Sequence, residues 1–217
     1  MALAEDGQLL HELSDPGPQS HSERLAPMIQ QLLDQAELTW KNLDAVAISA
    51  GPGSYTGLRI GHATAKGICF GRQLPLIHLS TLRCMAFGVG QQMGFPTDVQ
   101  YWPMIDARRD EVFCALYDAD FSEKKKPFAY VLSKSEMNAV LDQSKTVICG
   151  TGAEKSKPFL IHKNTVFNSL PMVTAGNMCR FAEARWRSKT FEDSAYAEPF
   201  YLKAFAGSKP KSTGKTN

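Results

Sequence analysis

A strand running through a glycine-rich turn into a helix constrains this chain more than any other feature: residues 46–71 read VAISAGPGSYTGLRIGHATAKGICFG. Val46 to Ala50 is short, apolar and partly β-branched, the pattern of a buried strand. The turn that follows holds Gly51, Pro52, Gly53, Ser54, Tyr55, Thr56 and Gly57. Pro52 fixes one backbone angle, and the three glycines permit conformations and close approaches denied to other residues. Ser54 or Thr56 can cap the next helix. Along that helix Gly57, Gly61 and Ala65 form one row at every fourth residue, and Ala63, Gly67 and Gly71 form another. Rows of small side chains let another backbone come close.

The turn invites comparison with phosphate-binding loops, because amides at a helix start bind anions. The spacing fits neither standard motif: Leu58 and Arg59 stand where a Walker loop needs Lys and Ser or Thr, and Thr56 stands where GxGxxG needs glycine. Arg59 can still assist an anion, but the plainer reading is a tight strand-to-helix turn packed on a neighbour. The histidines, His11, His21, His62, His78 and His162, form no HxxxH or HExxH pair, which argues against a zinc site. No nucleophile and base stand at a recognisable spacing either. Asp106 to Glu111 packs five charges into six residues; it reads either as an anion- or partner-binding tip or as a solvated hairpin tip with local ion pairs.

Around this centre the pattern is α/β. An Asp6-Gly7 turn joins two short runs at 2–4 and 8–14, and a helix runs from Ser20 or Ser22 to about Leu38, with Leu25, Met28, Ile29, Leu32, Leu33 and Ala36 on one stripe. Leu74–Ile77 reads as a strand, and Ser80 caps a helix reaching the glycines at 88–94. The pattern restarts after Val99: paired strands at Tyr101–Ile105 and Val112–Tyr117, a third at Phe128–Leu132, a helix from Ser135, a buried strand at Thr146–Cys149, a turn at Gly150-Thr151-Gly152, and a helix from Thr174 to Arg187. Lys124-Lys125-Lys126 reads as a solvated loop, and Tyr201–Phe205 as the close of the folded part. Two successive blocks of strands and helices predict two α/β lobes, 1–98 and 99–206, followed by a disordered basic tail at 207–217.

Composition bounds function. A net charge of +2 does not by itself make a nucleic-acid surface. Five scattered cysteines without a CxxC suit a reducing compartment. No apolar run approaches membrane-spanning length, and the opening MALAEDGQLL does not read as a signal peptide, so a soluble, cytoplasmic chain without membrane contact is expected. The lysines at 209, 211 and 215 can add salt-sensitive attraction to RNA.

SAGPGSYTGLRIG resembles the signature of the bacterial TsaB (YeaZ) family, and HSERLAPMIQQLL at 21–33, STL at 80–82, MIDARRDEVFCALYD at 104–118 and EPFYLKAF at 198–205 agree with it. The resemblance spans roughly residues 2–206. It implies two lobes of the ribonuclease-H-like, actin-type ATPase superfamily (the ASKHA fold). It also implies a further strand ahead of residue 2, in the middle of the first sheet, so that the first strand of the N-terminal lobe is missing here. A start misassigned at an internal valine codon would account for that; an in-frame strand encoded upstream supports it and a stop codon there ends it.

The resemblance further implies a subunit without catalytic, metal or cofactor residues of its own. Such a subunit binds and activates a TsaD-type catalytic partner that makes N6-threonylcarbamoyladenosine at position 37 of tRNAs reading codons that begin with A. A TsaE-type ATPase cycles the assembly, tRNA is met indirectly through the complex, and a homodimer is possible. Interface positions implied on the two N-lobe helices are His21, Leu25, Met28, Ile29, Leu32, Arg59, Ile60, Ala63, Thr64, Gly67 and Ile68, flanked by the glycine turn at Gly51, Gly53 and Gly57. The residues alone leave open whether the second small face of helix 57–71 packs inside this chain or against a partner. The rival classes are an actin-type ATP-binding kinase or ATPase and a glycoprotease-like metallopeptidase.

Overall fold

The structure, a computed structural model, describes residues 1–15, 21–133, 141, 144–168 and 173–203. The expected helix from Ser135, the residues past 203 and the side chain of His21 lie outside the described residues. The order is β1 (Ala2–Glu5), β2 (Gln8–Glu12), α1 (His21–Gln35), β3 (Val46–Gly51), α2 (Tyr55–Arg72), β4 (Leu76–Ser80), α3 (Thr81–Gln92), β5 (Val99–Asp106), β6 (Glu111–Tyr117), β7 (Glu123–Val131), β8 (Lys145–Cys149), α4 (Ala153–Ser156), β9 (Thr165–Asn168) and α5 (Cys179–Arg187). Short 3-10 turns at Trp40–Asn42, Lys157–Phe159 and Ala175–Met178 join them.

The second half forms one sheet of order β7-β6-β5-β8-β9, in which β5 pairs antiparallel with β6 and parallel with β8. Its alternation sends side chains into two cores. Val99, Tyr101, Ala115, Tyr117, Val147 and Cys149 meet α3, β4 and Phe181 on one face; Trp102, Met104, Val112, Cys114, Leu116 and Ile148 meet Leu141, Ala153 and Leu160 on the other. A sheet covered on both faces explains why β5 is apolar through consecutive positions. Fully burying each such side chain stabilises by roughly 1.5–3 kcal/mol before entropy is counted.

The lysine run at 124–126 belongs to β7, where sequence reading places a loop. Pairing of Leu116 with Lys125 and Tyr117 with Glu123 extends the ladder through it. β7 is an edge strand, and lysines on an edge discourage pairing with other chains. Other expectations also shift. The stretch expected as a helix from Thr174 opens as a 3-10 turn before α5, and Leu74 and Pro75 precede β4.

In the first half, β1 pairs antiparallel with β2 and β3 pairs in parallel with β4. Among the described residues no ladder joins the two pairs, whereas the family resemblance places these strands in one sheet around a further strand. α2 covers β3 and β4 with Ala65 and Cys69 against Val46, Ile48 and Leu76. The end of the described chain returns to this half. α5 packs on β4, Glu192 N–H donates to Leu76 O, Phe200 N–H donates to Ala50 O, and Lys66 Nζ donates to the carbonyls of Ala195 and Ala197 at 2.9 and 3.1 Å.

Candidate docking surface on the first two helices

The glycine turn is built by packing. Gly51 has φ +120°, and a Cβ there would lie 2.6 Å from the Phe200 carbonyl oxygen, so a side chain is excluded by conformation and by the returning segment together. Of the two candidate caps, Ser54 caps α2: its Oγ accepts the Gly57 N–H at 3.3 Å. Tyr55 and Tyr201 rings lie 5.0 Å apart, and the Arg59 guanidinium donates to Tyr55 Oη at 2.8 Å. Side chains of the chain itself therefore occupy the space beside this turn.

The second tight turn is closed in the same manner. A Cβ on Gly150 (φ +94°) would meet the Met104 carbonyl at 2.5 Å, and one on Gly152 would meet Val112 Cγ1 at 2.8 Å. Lys155 Nζ reaches across from α4 to the Asp106 carboxylate and to the carbonyls of Arg109 and Glu111. That hydrogen bond, with help from the Arg108 amide, holds the Asp106 carboxyl below its usual range. Lys203 Nζ pairs with Glu111 at 2.5 Å. The charged hairpin tip is thus tied down by distant lysines rather than by local ion pairs, and a phosphate cradle does not fit its packed glycines.

α2 has two unlike faces. Leu58, His62, Ala65 and Cys69 are buried beneath it, whereas Arg59, Ala63, Gly67 and Phe70 are exposed above, at spacings of four, four and three residues. A Cβ on Gly61, Gly67 or Gly71 would meet nothing within 4 Å, so nothing described in this chain uses the space those glycines leave. Phe70 is 87% exposed, the most exposed of the large apolar side chains among the described residues, and the sequence reading passed over it. Its place three residues after Gly67 on the Ala63 row was the available signal.

Ile60, Thr64 and Ile68 are half-buried along the flank of α2, and Leu25, Met28 and Ile29 are half-buried on α1, which packs beside α2. Leu32 is 3% exposed and belongs to the interior, so it supports this surface from beneath. His21 opens α1.

Beneath α2 the His62 and His78 rings meet edge to face, 4.9 Å between centroids. His62 Nδ1 contacts the Leu58 carbonyl at 2.8 Å, which requires the proton on Nδ1; both Nε2 atoms are buried without a partner among the described residues. Burial, the main cause, lowers the pKa of both rings. All five cysteines are free and buried, and desolvation pushes the thiols of Cys84, Cys114 and Cys149 up to about 12, which leaves them unreactive. Among the described residues no group of three or more His, Cys, Asp or Glu side chains is placed to hold a metal ion. Nor is any described helix long and apolar enough to cross a membrane.

Known proteins align with this arrangement. A family profile described as "TsaD: tRNA N6-adenosine threonylcarbamoyltransferase" matches residues 17–145. The tRNA threonylcarbamoyladenosine biosynthesis protein TsaB of Escherichia coli is 39% identical over 103 residues, 48% of this chain and 43% of that protein. The protein of the same name from Haemophilus influenzae is 28% identical over 212 residues, 94% of this chain and 88% of that one. Among solved structures, YeaZ from Pseudomonas aeruginosa superposes with a TM-score of 0.78 at 25% identity, covering 89% of this chain and 92% of its own. A second P. aeruginosa structure, described as similar to peptidase YEAZ, gives the same TM-score over 90% of this chain. The chain belongs to the tRNA N6-adenosine threonylcarbamoyltransferase family, in its TsaB (YeaZ) branch, and has that branch's ribonuclease-H-like, actin-type α/β fold.

Proposed function

We propose that this chain is a docking subunit, without catalysis of its own, in the pathway that forms N6-threonylcarbamoyladenosine on tRNA. It binds a TsaD-type catalytic subunit through the outer faces of α1 and α2. The observation that carries this reading is the exposed row Ala63, Gly67 and Gly71, with open space at both glycines and Phe70 beside it. Glycine in a helix interior costs roughly 0.5–1 kcal/mol relative to alanine, a cost this chain does not recover inside its own fold. A helix of a partner lying across that row would recover it, with Leu25, Met28, Ile29, Ile60, Thr64 and Ile68 as the apolar margin and Arg59 at the polar end. The names of the relatives, tRNA threonylcarbamoyladenosine biosynthesis protein TsaB, support the pathway.

In this reading the chain orders its partner, meets the TsaE-type ATPase and tRNA only within the assembly, and works in the cytoplasm. The same face pairs with a second copy of itself when the partner is absent. Two lobes, divided near residue 98, then serve different ends: the first docks and the second holds it rigid. Co-purification with the TsaD-type subunit tests the proposal. Ala63→Trp and Gly67→Trp should each abolish the complex while leaving the circular-dichroism melt of the isolated chain intact. Complex formation retained by both variants would overturn it.

A further inference from the structure

Apart from the docking face, a cavity of about 400 Å³ opens where the end of β4, the start of α3, the ends of β6 and β7, and α5 converge. Its wall carries two guanidinium groups, Arg83 and Arg185, and neither makes an ion pair with any described residue. Arg83 is fixed in place, its guanidinium carbon 4.6 Å from the centroid of the buried Phe181 ring. Its Nε is buried with no acceptor. A charged donor out of water and without an acceptor is costly, and a pair of oxygens in its plane is what a guanidinium fork donates to best.

The hydroxyls beside it supply further donors. Ser80 Oγ and Tyr117 Oη lie 3.2 Å apart, so one donates to the other and the acceptor's own proton is left for a third group. Ser80 Oγ already accepts the Arg83 N–H at 3.4 Å, which turns its remaining capacity toward donation. Glu123, the cross-strand neighbour of Tyr117, is an acceptor carboxylate in the same wall. Two cations and one anion leave the wall net positive, and the carboxylate can receive a donor from the ligand.

We propose that this cavity binds a small phosphate monoester, its phosphate oxygens on Arg83, Arg185 and the Ser80–Tyr117 hydroxyl pair and a hydroxyl or amino group of its organic part on Glu123. The volume is larger than a bare phosphate requires and falls within the range of small-molecule sites. Recognition through Arg83 and α5 places the ligand across the joint between the first strand pairs and the five-stranded sheet, since α3 and α5 contact both the β4 end and the core of that sheet.

Calorimetric titration of the full chain at low ionic strength with AMP, glycerol 3-phosphate and inorganic phosphate tests this site. At least one ester should bind, and Arg83→Gln and Arg185→Gln should each weaken it about tenfold or more, the loss expected for one charge-assisted contact. Arg185 lies on the exposed side of α5, so its variant should keep the wild-type melt and separates lost binding from lost folding. Inorganic phosphate binding as tightly as the esters would make free phosphate the ligand of the same site. Binding by none of the three, or equal affinity in both variants, overturns the proposal.

Discussion

β5 is buried from Val99 to Met104 and sends side chains into a core on each face of its sheet, whereas β3 is only half-buried from Val46 to Ser49 and belongs to a two-stranded pair. β5 is the middle strand of a five-stranded sheet, whereas among the described residues β3 pairs with β4 alone. Buried apolar surface supplies most folding free energy, so the second half anchors the fold. The first half keeps the feature that costs stability, a helix with three solvent-facing small residues. Under the proposed function, rigidity and recognition are divided between the halves.

The contrast is broken most sharply in the cores. Trp102→Ala should cost about 3–5 kcal/mol in denaturant unfolding, and Ile48→Ala in half-buried β3 well under half of that. Equal losses would mean that β3 contributes as much buried surface to the fold as β5 does. Gly51→Ala comes next, at about 1–3 kcal/mol, because it forces an unfavourable φ and meets the Phe200 carbonyl; urea unfolding and faster amide exchange at Phe200 would register it.

Acidification gives a smaller effect. His62 and His78 have folded pKa values below their ordinary 6.5, so the unfolded chain takes up their protons first. Their contribution is complete above about pH 6.5 and is lost as pH falls toward the folded values. Thermal midpoints should therefore drop between pH 7 and 5, and the drop should shrink in the variant His62→Leu/His78→Leu. The smallest change has the opposite sign: Gly67→Ala should stabilise the isolated chain by about 0.5–1 kcal/mol, since the new methyl group meets nothing.

Local signals were legible in the residues. The Val46 strand, the Ser54 and Ser80 caps, and the hairpin across Asp106–Glu111 all follow from short-range pattern, and the structure has each of them. Long-range partnerships were not. Nothing near Gly51 announces Phe200, and nothing near Lys66 announces the carbonyls of Ala195 and Ala197, well over a hundred positions away. Lys124–Lys126 misled because lysine disfavours strands locally, while the ladder with β6 supplies the missing preference. At the proposed docking face, the small-residue rows were visible from spacing alone, but which row faces outward was not. That choice is made by Leu58, His62, Ala65 and Cys69 seating against the strands, which leaves Ala63, Gly67 and Phe70 outside.

The paired measurement on Gly67→Leu bears most directly on the division between a stabilising half and a recognising half. The isolated variant should melt no lower than the parent, while calorimetry against the TsaD-type subunit should show affinity reduced by about tenfold or more, as overpacking of a close helix contact requires. A variant that binds the partner with undiminished affinity would contradict the account.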